Sequence, residues 1–273
     1  MISLFGALRR VLKDDGTVWL VIGDCYAGSA FRGLRKRRSA ADTVDDEYGA
    51  LKAKDLLGIP WMTAFALRKA GWFLRQEIIW EKANGMPESV RDRCTRSHEY
   101  VFMFSKKPVY YYDHLAIATP ISASTERRMS QDLGNQRGSN RAYQKGNGPM
   151  KASFTKAPKG DGHGRRHEGF NARWDESAGS QLKVANRRSV WRVATSKSNE
   201  DHYASYPPEI PRRCIKAGSR PGDLVLDPFA GTGTTLLQAS MLGRRYVGFD
   251  LNPRYVGIAR RRLREVDGLF YQE

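Results

Sequence analysis

Apolar residues fall at Leu4, Leu8, Val11 and Leu12, a helical spacing that closes at Asp14, Asp15 and Gly16. Residues 17–22 (TVWLVI) follow as an unbroken run of β-branched, aromatic and aliphatic side chains between Gly16 and Gly23. Apolar character on both faces predicts a parallel strand covered on both sides. Asp24 then stands at its carboxyl end. Over residues 28–47 the periodicity gives way to a basic run at 35–38 and an acidic cluster at Asp42, Asp45, Asp46 and Glu47, the pattern of a mobile loop. Residues 60–70 predict a helix, with proline in its first turn and Gly71 at its stop. Residues 73–80 and 99–104 predict strands, separated by a Pro- and Arg-containing loop at 81–98. Helix and strand alternate, so the chain is of the α/β class.

Between residues 120 and 188 the apolar periodicity vanishes into Gly, Ser, Asn and Arg, with Phe154, Phe170 and Trp174 as isolated aromatics. Regular pattern returns with a helix at 206–217 carrying Pro207 and Pro208, a strand at 223–226, a helix at 234–242, a strand at 246–250 and an Arg-rich helix at 253–266. The last four form a βαβα unit. Three segments result: an N-terminal part (1–119), a basic insertion (120–190) and a C-terminal part (191–273).

Charge sharpens this picture. The 273 residues carry 46 Lys and Arg against 29 Asp and Glu, a formal net charge of +17, and the mean hydropathy is −0.58. Residues 120–190 alone hold fourteen basic and six acidic side chains, a net of +8. Such an excess points to a polyanionic partner. No apolar run approaches the roughly 20 residues of a membrane-spanning helix. Residues 1–10 lack the layout of a secretory signal, so a cytoplasmic protein without a membrane partner is expected. Cys25, Cys94 and Cys214 are far apart and the five histidines show no ligand spacing, which indicates neither a disulfide framework nor a metal site. Cys25 reads as a small buried residue after a strand.

The strongest chemical signal is residues 227–235, DPFAGTGTT, a Gly-rich turn between a strand and a helix. Ligands of open α/β sheets bind at such carboxyl ends. A phosphate-binding loop of the GxxxxGK[ST] type would need a lysine that is absent, and Leu236 occupies the third glycine of a GxGxxG fingerprint. Asp227 would repel a pyrophosphate but attract the α-ammonium of a methionine moiety. Asp250 ends the next strand, placed to accept hydrogen bonds from both hydroxyls of a ribose. S-adenosylmethionine fits this combination best.

DPFAGTGTT with GFDLNPRY at 248–255, following HYASYPPEIPRRCI at 202–215, resembles the β-class DNA amino-methyltransferases, which methylate adenine N6 or cytosine N4. The segments LRRVLKDDGTVWLVIGDCYAG and LRQEIIWEKANGMPESVRDRCTRSHEYVFMFSK and the basic spacer are similar to that family's middle motifs and target-recognition region, in its order. The resemblance implies a Rossmann-like methyltransferase sheet with circularly permuted motifs and an irregular basic insertion. It implies that Asp227, Phe229, Gly231, Gly233 and Thr234 hold the methionine part of the cofactor and Asp250 the ribose. His202, Tyr203, Ala204 and Pro207 fall in the motif that closes over it. Asn84, Glu88, Arg91, Arg96, His98 and Glu99 match the loop and strand lining the base pocket or DNA cleft. Double-stranded DNA is the implied partner, with contacts expected from Arg35, Lys36, Arg37, Arg38, Asn84, Arg91, Arg96, Arg127, Arg128, Arg165, Arg166, Arg187 and Arg188.

One departure stands out. The family's catalytic tetrapeptide, [DNS]-P-P-[YFW], accepts hydrogen bonds from the target amine and stacks on the flipped base. The only Pro-Pro here is Tyr206-Pro207-Pro208-Glu209, in the cofactor-closing motif. The family order places the tetrapeptide ahead of the helix at residues 4–12, so the resemblance implies N-terminal strands that this sequence does not contain, and a complementing N-terminal polypeptide as a partner. Asp24 is the weak candidate for a polar pocket residue in its stead, against a turn-capping role. Two other readings share these residues: a noncatalytic DNA-binding remnant, and a methyltransferase acting on RNA or a small molecule.

Overall fold

The computed structural model describes residues 1–27, 52, 54–124, 184–195 and 206–267. The chain divides into two compact units, Met1–Ile117 with Arg188–Glu273, and Ala118–Arg187. In the second, the described residues form one short antiparallel pair, β4 (Thr119–Pro120) with β5 (Val184–Ala185).

The first unit begins with α1 (Ile2–Val11), which buries Phe5, and β1 (Thr17–Ile22). Helix α2 (Ile59–Lys69), strand β2 (Phe73–Lys82) and strand β3 (His98–Ser105) follow. Strand β6 (Val190–Val193) completes a four-stranded sheet in the order β1-β3-β2-β6. Here the expected parallel direction of residues 17–22 is corrected. β3 inserts between β1 and β2 and runs antiparallel to both, pairing Ile22 with Tyr100 and Ile79 with Tyr100 across its two edges. β1 and β2 therefore run the same way but do not touch. β6 is parallel to β2.

The double-sided apolar pattern of β1 is explained by two cores. Val18, Leu20 and Ile22 pack against Phe5, Leu67, Trp72, Phe102 and Phe104, between the sheet and helices α1 and α2. Trp19 and Val21 point the other way, against Ile78, Trp80, Val101, Trp191, Ile210 and Cys214. Burying each such large side chain contributes about 1.5 to 3 kcal/mol. The Trp80 indole N–H inside this second core is satisfied by the Val193 carbonyl at 2.9 Å.

Helix α3 (Glu209–Gly218) covers that face, starting three residues later than the pattern suggests. A residue before proline is pushed away from helical backbone, which keeps Tyr206 and Pro207 out of the helix and leaves Pro208 as its N-cap. Its last residue abuts β1: a Cβ on Gly218 would lie 2.5 Å from Thr17 Oγ1 and 2.7 Å from Trp19 Nε1.

Strand β7 (Leu224–Asp227), α4 (Thr234–Met241), β8 (Arg245–Gly248) and α5 (Pro253–Asp267) realise the expected βαβα unit, with β7 and β8 parallel. They form their own two-stranded sheet. Two ion pairs tie the residues just ahead of β1 and β7: Lys13 Nζ to Asp223 Oδ1 at 2.5 Å, and Arg220 Nη1 to Asp15 Oδ2 at 3.0 Å. No ladder joins β1 to β7 among the described residues, so each strand keeps one unpaired edge. No described helix is long and apolar enough to cross a membrane.

Candidate functional site

The Gly-rich turn leaves β7 at Asp227 and enters α4 through Gly233, the N-cap, in left-handed backbone at φ +82°. A Cβ at Gly233 would also lie 2.9 Å from the Ala259 Cβ, so glycine is required twice, for conformation and for the approach of α5. Gly248 at the end of β8 is equally confined, a Cβ there falling 2.6 Å from Leu236 Cδ1 and 2.8 Å from Ala230 Cβ.

Two carboxylates organise the backbone around this turn. Asp227 Oδ1 accepts the Phe229 amide at 2.9 Å, and Oδ2 accepts hydrogen bonds from Thr235 Oγ1 and from the Tyr206 hydroxyl, the latter at 3.3 Å. Asp250 bridges the two loops, accepting the Gly231 amide on Oδ2 at 3.0 Å and the Asn252 amide on Oδ1 at 2.8 Å. The main chains are stitched directly as well, Phe249 N to Asp227 O at 3.0 Å and Ala230 N to Phe249 O at 2.9 Å. Arg262 of α5 clamps Thr232 from behind through its carbonyl at 2.6 Å.

Three large apolar side chains stay in solvent beside these carboxylates: Phe229 and Phe249, each 61% exposed, and Leu251, fully exposed. Phe249 and Leu251 escaped the sequence reading, although their places on either side of Asp250 are the signal. Carboxylates, free amides at the start of α4 and exposed aromatic faces suit a ligand with a cationic end, a diol and a planar ring. No described group of His, Cys, Asp and Glu has the arrangement to hold a metal ion.

A second cluster lies at the carboxyl ends of β1, β2 and β6. Asp24 is engaged in capping, its Oδ1 accepting the Cys25 and Ile59 amides at 3.0 and 3.1 Å and its Oδ2 the Gly58 amide at 3.1 Å. That geometry supports the turn-capping role of the carboxylate at the entry of α2. Cys25 is exposed, against the expectation of burial, because it sits in this turn with its carbonyl accepting the Leu57 amide. Asn84 binds Thr195 through both ends of its amide, accepting Thr195 N at 2.7 Å and donating to Thr195 O at 3.2 Å, and so anchors the end of β6.

In the neighbouring loop Arg91 is exposed, and Arg96 Nη1 is buried with no hydrogen-bond partner among the described residues. Arg93, which the sequence reading passed over, lies 3.9 Å from the Tyr26 ring centre and 2.5 Å from Glu88. Glu99 pairs with Lys82 at 2.5 Å, and His98 packs edge-on against Tyr100. Arg188 is exposed and Pro207 is buried ahead of α3; Arg187 is half-buried in the second unit. Arg35, Lys36, Arg37, Arg38, Arg127, Arg128, Arg165, Arg166, His202, Tyr203 and Ala204 lie outside the described residues.

Comparison with known proteins accords with this arrangement. The family model described as DNA methylase, N6_N4_Mtase, matches residues 1–261. The Type II methyltransferase M.XycI of Xanthomonas campestris pv. cyanopsidis is 40% identical over 268 residues, spanning 96% of this chain and 70% of the relative. M.Cfr9I of Citrobacter freundii is 39% identical over 273 residues, spanning 98% and 71%. Among solved structures, a putative DNA modification methylase of Thermus thermophilus, complexed with S-adenosyl-L-methionine, shares the fold at a TM-score of 0.53 and 22% identity, over 98% of this chain and 77% of that one.

The chain therefore belongs to the N6/N4 DNA methylase family. The reaction in which this chain takes part is S-adenosylmethionine-dependent methylation of DNA, and its fold is the Rossmann-like one of that family.

Proposed function

We propose that the turn after β7 is the cofactor site, with Asp227, Phe229, Gly231, Gly233 and Thr234 around the methionine end and Asp250 at the ribose. Phe249 and Leu251 flank the adenine, and His202, Tyr203, Ala204 and Pro207 close over the ligand. The observation carrying this reading is the pair of carboxylates at the ends of adjacent parallel strands, both gripping one Gly-rich turn. When bound, S-adenosylmethionine supplies an electrophilic methyl group on a sulfonium. The protein's part is to hold that methyl in line with the amine nitrogen, whose lone pair is delocalised into the base, so rate comes from orientation and electrostatics.

The acceptor for the target amine comes from a strand that joins the free edges of β1 and β7 and carries a Pro-Pro-aromatic segment. Residues 1–273 hold no such segment, and a complementing polypeptide supplies it. Double-stranded DNA in the cytoplasm is the substrate, gripped by the basic insertion at 120–190, whose Arg188 lies just ahead of β6, and by Arg91 and Arg96 in the loop after β2. Arg96 suits such a contact because a buried guanidinium nitrogen with no partner among the described residues favours an incoming acceptor.

Titration calorimetry with S-adenosylmethionine tests the cofactor site. Asp250→Ala is expected to weaken binding by about 1 to 3 kcal/mol through lost charge-assisted hydrogen bonds. Equal affinity for wild type and variant would move the site elsewhere.

A further inference from the structure

Tyr206 precedes the Pro-Pro pair and had no role of its own in the sequence reading, yet it reaches the centre of the site. Its hydroxyl is 3.3 Å from Asp227 Oδ2 and in hydrogen-bond contact with Thr235 Oγ1, which itself donates to the same carboxylate oxygen. Thr235 has one proton, and that proton goes to Asp227. The threonine oxygen is then free to accept from Tyr206, which makes a relay from phenol to hydroxyl to carboxylate, with the 3.3 Å contact as its side branch. Burial foremost, then the adjacent carboxylate, raises the tyrosine pKa above its ordinary value of 10.0, so the phenol keeps its proton at working pH. The ring is fixed by packing against the core of Ile78, Trp191, Ile210 and Cys214. With Oδ1 held by the Phe229 amide, both carboxylate oxygens are oriented by the protein itself.

We infer that Tyr206 is a positioning residue: through Thr235 it fixes the Asp227 carboxylate in the orientation that receives the α-ammonium of the cofactor's amino-acid end. The inference rests on the placement of Asp227 proposed above.

Two ligands isolate the effect. S-adenosylhomocysteine and 5′-methylthioadenosine share the adenosine and the thioether and differ in the amino-acid end. Calorimetry on the full chain, with thermal melts as a folding control, compares wild type, Tyr206→Phe and Asp227→Asn. Tyr206→Phe, which keeps the ring, is expected to weaken S-adenosylhomocysteine about three- to tenfold while changing 5′-methylthioadenosine less than about twofold. Asp227→Asn is expected to show the same selectivity more strongly. If Tyr206→Phe weakens both ligands alike, or neither, while Asp227→Asn is selective, the cofactor site stands and the role of Tyr206 is overturned. Asp227→Asn without selectivity would overturn the placement of Asp227, and the inference with it. Should Tyr206→Phe lose its fold, Thr235→Val interrupts the relay from the other end and is judged by the same ratio.

Discussion

Gly233→Ala puts numbers on the claim that the cofactor turn is built by close approach. The alanine would have to hold φ near +82°, a left-handed conformation that costs an L-residue about 1 to 2 kcal/mol. Its Cβ would start 2.9 Å from the Ala259 Cβ, and relieving that overlap between a turn and a packed helix adds about 1 to 3 kcal/mol. The loss is therefore about 2 to 5 kcal/mol, a large share of a stability of about 5 to 15 kcal/mol. The two parts separate in a double-mutant cycle. Ala259→Gly removes the opposing methyl and by itself costs about 1 kcal/mol of helix propensity. Combined with Gly233→Ala it should recover the overlap but not the backbone cost, so the double variant is less destabilised than the two singles added together by about 1 to 3 kcal/mol. Urea unfolding of the four proteins reads this directly. A single Gly233→Ala loss below about 1 kcal/mol, or strict additivity with Ala259→Gly, would refute the packing argument.

Acid stability and salt dependence test the electrostatics. A hydrogen bond from Lys13 first, and the Arg220 amide second, hold the Asp223 carboxyl below its ordinary value of 3.8; Lys107 and Lys106 do the same for exposed Asp14. The unfolded chain then takes up protons before the folded one, so this stabilisation is complete above about pH 5 and is lost as pH falls through the depressed values. Lys13→Met should flatten the acid limb of a stability profile, and an unchanged limb would remove the pair from the account. DNA affinity should fall steeply with salt, and deleting residues 120–190 should flatten the slope; an unchanged slope would shift the footprint to Arg35, Lys36, Arg37 and Arg38 or to the loop around Arg96.

Elements whose signal is local were legible in the chain. Residues 17–22 announced a strand with two covered faces, and the strand ends at Asp227 and Asp250 announced the two carboxylates, because in each case an acid directly follows a short apolar strand. What escaped is set by pairing across long separations. The direction of β1 depends on β3 coming between it and β2, which no run of residues encodes. For Asp24 the sequence left a pocket role and a capping role side by side; the capping partners, the amides of Gly58 and Ile59, lie more than thirty positions away. Tyr206 reads as the entry to a helix; only the folded chain brings it to Thr235 and Asp227. Arg93 was hidden in the same way, since its partner Tyr26 belongs to the turn after β1.

The split between the β1 sheet and the β7 sheet is the point at which fold and function meet. It is tested most directly by measuring transfer of labelled methyl from S-adenosylmethionine to double-stranded DNA. Residues 1–273 alone should transfer none above background, and addition of a segment that carries a Pro-Pro-aromatic strand should restore transfer and pair the free edges of β1 and β7. Methyl transfer by residues 1–273 without that segment would contradict the account.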